Sequence, residues 1–232
     1  MLTVVAYFLP LLIVAVRKLW KETPLMLFAV YWAASGLMNL LDKVPGLSKD
    51  ALINISVIYN MLDMPLVIAI FCFTTRVRGI RNLTRVALPV YLLALSVNPF
   101  IQGLNYDGLK YLLGLGLILT FTIIIWDVIS VVRKLQHSSL EKAMLLINAA
   151  LLFQYGTYVI IYIFDYFYPK ISNPTDNFIL YYISSIVGMI VGSCAYLVIK
   201  KSEPSRIRKK DLNTDSMDEP RKKEADSFFT TY

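Results

Sequence analysis

Metal and redox chemistry have little to draw on in this chain. Its 232 residues include two cysteines and one histidine, and Cys72, Cys194 and His137 stand far apart in the sequence. Zinc, haem and di-iron centres need several Cys, His or carboxylate ligands held together, so neither a metal nor a cofactor is expected. A disulfide is not expected either, because both cysteines fall in apolar runs on the side of the basic loops. Charge is scarce as well: 17% of the residues are Asp, Glu, Lys or Arg, against roughly 25% in soluble domains. With 57% hydrophobic residues, the chain has more apolar surface than a soluble core of this size could hide. No folded hydrophilic module is left to bind nucleic acid, despite a net charge of +7.

What is present is long apolar blocks. Seven can be drawn, at 1–16, 24–41, 51–75, 83–104, 109–132, 143–168 and 177–199. Most approach the ~20 residues that cross a ~30 Å hydrocarbon layer as helix. The expected fold is therefore all-α: an integral membrane bundle of seven transmembrane helices. The first block is the weakest, being short and carrying Pro10. It does not read as a cleaved signal peptide, since no basic residue precedes it and no small-x-small site follows. Arg17-Lys18-Leu19-Trp20-Lys21 comes next and reads as a stop at the inner face.

Lys and Arg of short loops stay on the cytoplasmic side. Ten lie in alternate loops, at Arg17, Lys18, Lys21, Arg76, Arg78, Arg81, Arg85, Arg133, Lys134 and Lys142, and nine more follow from Lys200 onward. The opposite side holds four, Lys43, Lys49, Lys110 and Lys170. This split predicts an outside N-terminus and a cytoplasmic C-terminus in the plasma membrane. Residues 201–232 are charged and poor in apolar groups, so a disordered tail is expected there, its basic start lying against anionic headgroups.

An internal repeat is suggested by parallel features. Val16-Arg17-Lys18-Leu19 matches Val132-Arg133-Lys134-Leu135; Asp42, Pro45 and Ser48 match Asp165, Pro169 and Ser172; Tyr59 and Cys72 match Tyr181 and Cys194. Two parallel triplets joined by the fourth block would follow. That plan resembles the layout of small sugar carriers of the PQ-loop type. The resemblance covers architecture alone, since the chain has no Pro-Gln pair and no mid-helix proline in its second or sixth block. A rhodopsin-type retinal site is excluded, because the seventh block has no lysine.

Asp63 is the leading candidate site residue. It is the thirteenth of 25 residues in its block, near the bilayer midplane, where a charge costs at least ~2.5 kcal/mol and marks a functional site by default. Ser56, Asn60 and Asp63 share a helical face, and Pro65 frees the carbonyl of Met61. Together they could take a proton or small cation. The structural alternative is a protonated Asp63 bonded to a neighbour such as Asn39. In the sixth block Gln154, Tyr158, Tyr162, Asp165 and Tyr166 form a stripe expected to face inward. In the seventh, Tyr181, Ser185, Gly188, Gly192 and Tyr196 share a face whose small residues suit close helix packing. Counting ~1.5 Å per residue, Asp127 falls roughly 10 Å inside the midplane and reads as a hydrated interfacial acid. Asp165 falls roughly 14 Å outside it.

Three classes of function follow. The first is a small-solute or ion carrier, or a channel-like protein, with a polar pathway through Trp32, Asn39, Asn60, Asp63, Gln154, Tyr158, Tyr162 and Asp165. The second is a heptahelical sensor. The third is a membrane-embedded enzyme of lipid metabolism, which the sequence supports least, as it offers no nucleophile–base pair or metal set. The expected partners are the bilayer and a small-molecule or ionic ligand.

Overall fold

A computed structural model describes residues 2–41, 46–103, 106–170 and 172–199. The expected tail at 201–232, Asp42 and Pro45 of the proposed repeat, and Lys43 of the loop charges lie outside the described residues. The described chain is helical, with no strand: α1 (Leu2–Arg17), α2 (Thr23–Met38), α3 (Lys49–Thr74), α4 (Arg78–Gln102), α5 (Tyr106–Val132), α6 (Ser139–Phe167) and α7 (Pro174–Val198). Helices α3 to α7 are long and apolar enough to cross a membrane, whereas α1 and α2 are shorter apolar helices. At ~1.5 Å per residue α1 and α2 reach about 24 Å, less than the hydrocarbon thickness.

The helix ends follow local chemistry. Ser48 accepts from Ala51 N (3.1 Å) to cap α3, and Ser138 and Glu141 form a reciprocal capping box at the start of α6. Asn173 caps α7 just before Pro174, and Pro24 opens α2. Such residues satisfy amide protons that the first helical turn cannot. At its other end α4 stops on Gly103, whose φ of 83° suits glycine.

The apolar periphery fits lipid. Phe73, Phe100, Ile101, Val86, Leu93 and Ile118 are each more than 60% exposed, a degree of apolar exposure that soluble monomers avoid in large patches. Inside, Phe28, Trp32, Phe71, Tyr155 and Tyr196 are fully buried.

The helices pack as a ring, α1 on α2, α2 on α3, α3 on α5, α5 on α6, α6 on α7 and α7 back on α1. Helix α4 packs on α3 and α5 and is the least buried of the five long helices. Its buried residues Ile80, Thr84, Tyr91 and Leu95 form one stripe at helical spacing. Arg17 closes the ring at one end: its guanidinium donates to the carbonyls of Tyr196 (2.6 Å), Leu197 (2.8 Å) and Ile199 (2.8 Å). A cation on the orphan carbonyls of a last helical turn also meets the negative end of its dipole. Glycines set the spacing on α7. A Cβ on Gly192 would lie 2.7 Å from the Trp32 ring, and one on Gly188 would lie 2.8 Å from Gln154 Cγ.

Candidate functional site

Three helices meet at Asp63. Tyr31 of α2 donates its hydroxyl to Oδ1 (2.8 Å), and Tyr155 of α6 donates to Oδ2 (2.9 Å). The two tyrosine oxygens stand 3.3 Å apart. A phenol has one proton, so with both protons on Asp63 that approach is not a further bond. Each carboxyl oxygen keeps lone pairs for another donor.

Above this clamp lies a cavity of about 520 Å³ lined from all six ring helices. From α6 it takes Gln154, Tyr158, Tyr162, Asp165 and Tyr166, the inward-facing stripe expected from sequence. From Gln154 at the floor to Asp165 at the rim is eleven residues, or about 17 Å along the helix. Asn177 and Phe178 of α7 share the rim, so the cavity opens where α6 passes to α7.

The walls are aromatic, and several of their hydroxyls are tied to neighbouring serines or backbone. Tyr7 donates to Ser185 Oγ (2.9 Å), Tyr59 donates to Ser35 Oγ, and Tyr162 donates to the Lys110 carbonyl (2.9 Å). Tyr158 and Tyr181 stack at 5.6 Å with their planes 16° apart. At the rim, Asp165 Oδ1 accepts from Ser172 and Asn177, both at 2.6 Å.

No family model, curated protein or solved structure matches this chain. The site therefore rests on its geometry.

Of the residues singled out from sequence, Asp63, Asn60, Trp32, Gln154, Tyr158, Tyr162 and Asp165 all line this cavity. Asn39 does not: it caps the end of α2, donating Nδ2 to the Ser35 carbonyl (2.8 Å). The partners of Asp63 are the tyrosines rather than Asn39. Trp32 forms part of the wall, yet its indole N–H has no partner among the described residues. Sequence reasoning missed Tyr31 and Tyr155 entirely. Each neighbours a chosen residue, Trp32 or Gln154, and one position along a helix turns a side chain by about 100°. Tyr155 does precede Tyr158 and Tyr162 by three and seven residues, a spacing that could have revealed it.

Asp127 corrects an expectation. It is 6% exposed rather than hydrated, with Oδ1 accepting from Thr75 Oγ1 (3.0 Å) and Oδ2 from Asn148 Nδ2 (2.8 Å). Linear distance from the basic loop gave its depth but not its neighbours. It lines a second cavity, of about 250 Å³, with Lys21, Glu22, Arg76, Lys134 and Glu141. These residues mark the opposite end of the bundle, where α3 ends and α6 begins.

A solid layer separates the cavities. On α3, Met64 lines the first and Phe71 the second, about 10 Å apart. On α6, Gln154 and Met144 do so, about 15 Å apart. Phe28, Ile68, Ile147 and Leu151 fill the gap at 0% exposure, with Phe28 edge-on to Phe71 at 5.8 Å.

Proposed function

We propose that this chain is a multi-pass plasma-membrane carrier, with seven spans and its N-terminus outside, that binds a small solute beside Asp63. The observation that carries this reading is the pair of cavities at opposite ends of one bundle, divided by a thin apolar layer. A carrier needs a site reachable from each side in turn and a barrier that shifts between them. The larger cavity lies at the end that the basic residues assign to the outside, so the arrangement fits an outward-open state. The repeat of two helix triplets belongs to the same proposal. It gains support from α4, which packs at the α3–α5 seam.

A dyad enzyme is disfavoured, since Asp63 and Asp127 line different cavities. A sensor would share the outer cavity but has no need for one at the other end.

The test needs no known substrate. In a variant lacking Cys72 and Cys194, Met64→Cys at the cavity floor is probed with an impermeant thiol reagent. A carrier exposes this cysteine from outside in intact cells, and also from the cytoplasmic face in inverted vesicles. Labelling from outside alone would refute the carrier and favour the sensor. Cysteines at Ser48 and Asn173 serve as outside controls and one at Ser139 as the inside control. Labelling of Ser139→Cys in intact cells would overturn the orientation.

A further inference from the structure

We infer that the large cavity selects an organic cation: a protonated amine or quaternary ammonium group carried on an apolar body. The inference deepens the preceding one and rests on reading this cavity as the substrate site. Three observations carry it.

The first is charge. The cavity lining includes Asp63 and Asp165 but no Lys, Arg or His. The ion pair among the described residues, Lys134 with Glu141, lies at the other end of the bundle. Asp63 is thus held by two neutral hydroxyls and meets no countercharge. Its remaining lone pairs suit an N–H donor or a bare positive charge.

The second is the direction of the hydroxyl protons. Tyr7, Tyr31, Tyr59 and Tyr162 each line the cavity and each donate to a protein acceptor. What they offer a solute is lone pairs and ring faces. An anion needs several donors and finds these four protons committed, with the Trp32 indole N–H left over, whereas a cation needs acceptors and finds them on several walls.

The third is the aromatic wall itself. Nine of the nineteen lining residues are Tyr, Trp or Phe, and ring faces attract cations, most strongly when water is excluded. Beside the cavity, behind Tyr166, rings already serve in this way. Lys110 Nζ lies 4.9 Å from the Phe167 centroid and 5.4 Å from that of Tyr166, and donates to the Tyr166 carbonyl. At about 520 Å³ the cavity falls within the range of small-molecule sites and has room for a solute carrying one ring.

Three probes of the same shape isolate the head group: phenethylammonium, 2-phenylethanol and phenylacetate, titrated at pH 7 into the purified full chain by calorimetry. The amine is expected to bind at least about tenfold more tightly than the alcohol, and phenylacetate more weakly than either. Asp63→Asn should abolish the amine's advantage while leaving the alcohol within about twofold of its affinity for the unaltered chain. A structural role alone would weaken amine and alcohol together. Phenylacetate binding as tightly as the amine, or an amine preference that survives Asp63→Asn, would overturn the inference. If Asp63→Asn does not fold, the ranking of the three probes on the unaltered chain decides. The two readings fail separately: amine binding with one-sided labelling of Met64→Cys removes the carrier and leaves the cation site. Two-sided labelling with a preference for phenylacetate does the reverse.

Discussion

Replacing Asp63 with leucine takes away the acceptor that Tyr31 and Tyr155 share. The two hydroxyls are 3.3 Å apart, close enough for one to donate to the other once Asp63 is gone. One proton is therefore left without a partner, not two. A buried donor left unmade costs about 1–3 kcal/mol; the upper end applies if the stranded proton is that of Tyr155, which is 1% exposed, and the lower end if it is that of Tyr31, which borders the large cavity. At 2–4 °C per kcal/mol for a chain of this size, Asp63→Leu should lower the unfolding midpoint in detergent by about 2–12 °C. Asp63→Asn keeps one oxygen acceptor and should cost less than about 1 kcal/mol. The pairing also predicts non-additivity: only when both Tyr31→Phe and Tyr155→Phe join Asp63→Leu is the orphan removed, so the triple variant should be no less stable than Asp63→Leu alone. Thermal unfolding followed by tryptophan fluorescence measures all three. An unchanged midpoint for Asp63→Leu, or strictly additive losses in the triple variant, would refute the clamp.

Gly192→Ala would set a Cβ against the Trp32 ring at 2.7 Å, whereas at Gly156 the nearest atom is 3.8 Å away. Thermal unfolding should show the first losing about 1–3 kcal/mol by overpacking and the second unchanged or slightly gaining. Arg17→Ala should speed amide hydrogen exchange in the last turn of α7, and Arg17→Lys should restore protection only in part, because a point charge cannot span three carbonyls. Asp127→Leu strands the Nδ2 of Asn148, which is fully buried, and should lower the midpoint, while the paired change Asp127→Leu with Asn148→Leu should recover part of the loss. No loss from Asp127→Leu, or no recovery at all in the paired variant, would count against a buried pair.

The helices were legible because apolar blocks end where Ser, Asn, Pro and basic residues gather, and those residues cap helices for stated reasons. The bounds of α3 and α6 differ from the blocks at 51–75 and 143–168 by four residues or fewer, mainly because polar first turns such as Lys49-Asp50 and Ser139 to Lys142 are helical but not apolar. The α6 stripe was legible for a similar reason, since polar groups at spacings of three and four stand out against an apolar background. Tyr31, Tyr155 and the Asp127–Asn148 bond were not. Each depends on which helix faces which, and periodicity reports the angle of a side chain about its own axis, not the neighbour across the gap. Asn39 illustrates the same limit from the other side: its block continued past it, but α2 stops at Met38, and the amide turns back onto its own helix.

The wall of the large cavity is closed by the first and last of the described helices. Tyr7 of α1 reaches Ser185 of α7, 178 residues later, and Arg17 reaches Ile199, 182 residues later. Contacts so distant along the chain form late, as their loop-closure entropy must be met first. During synthesis α1 therefore waits for a partner that leaves the ribosome only after α2 to α6. Until then α2, α3, α5 and α6 enclose an open trough whose polar side is uncovered. A chain cut short before α7 would keep the Asp63 clamp of α2, α3 and α6 but lose the wall that Asn177, Phe178 and Tyr181 supply, and Tyr7 would lose its acceptor Ser185.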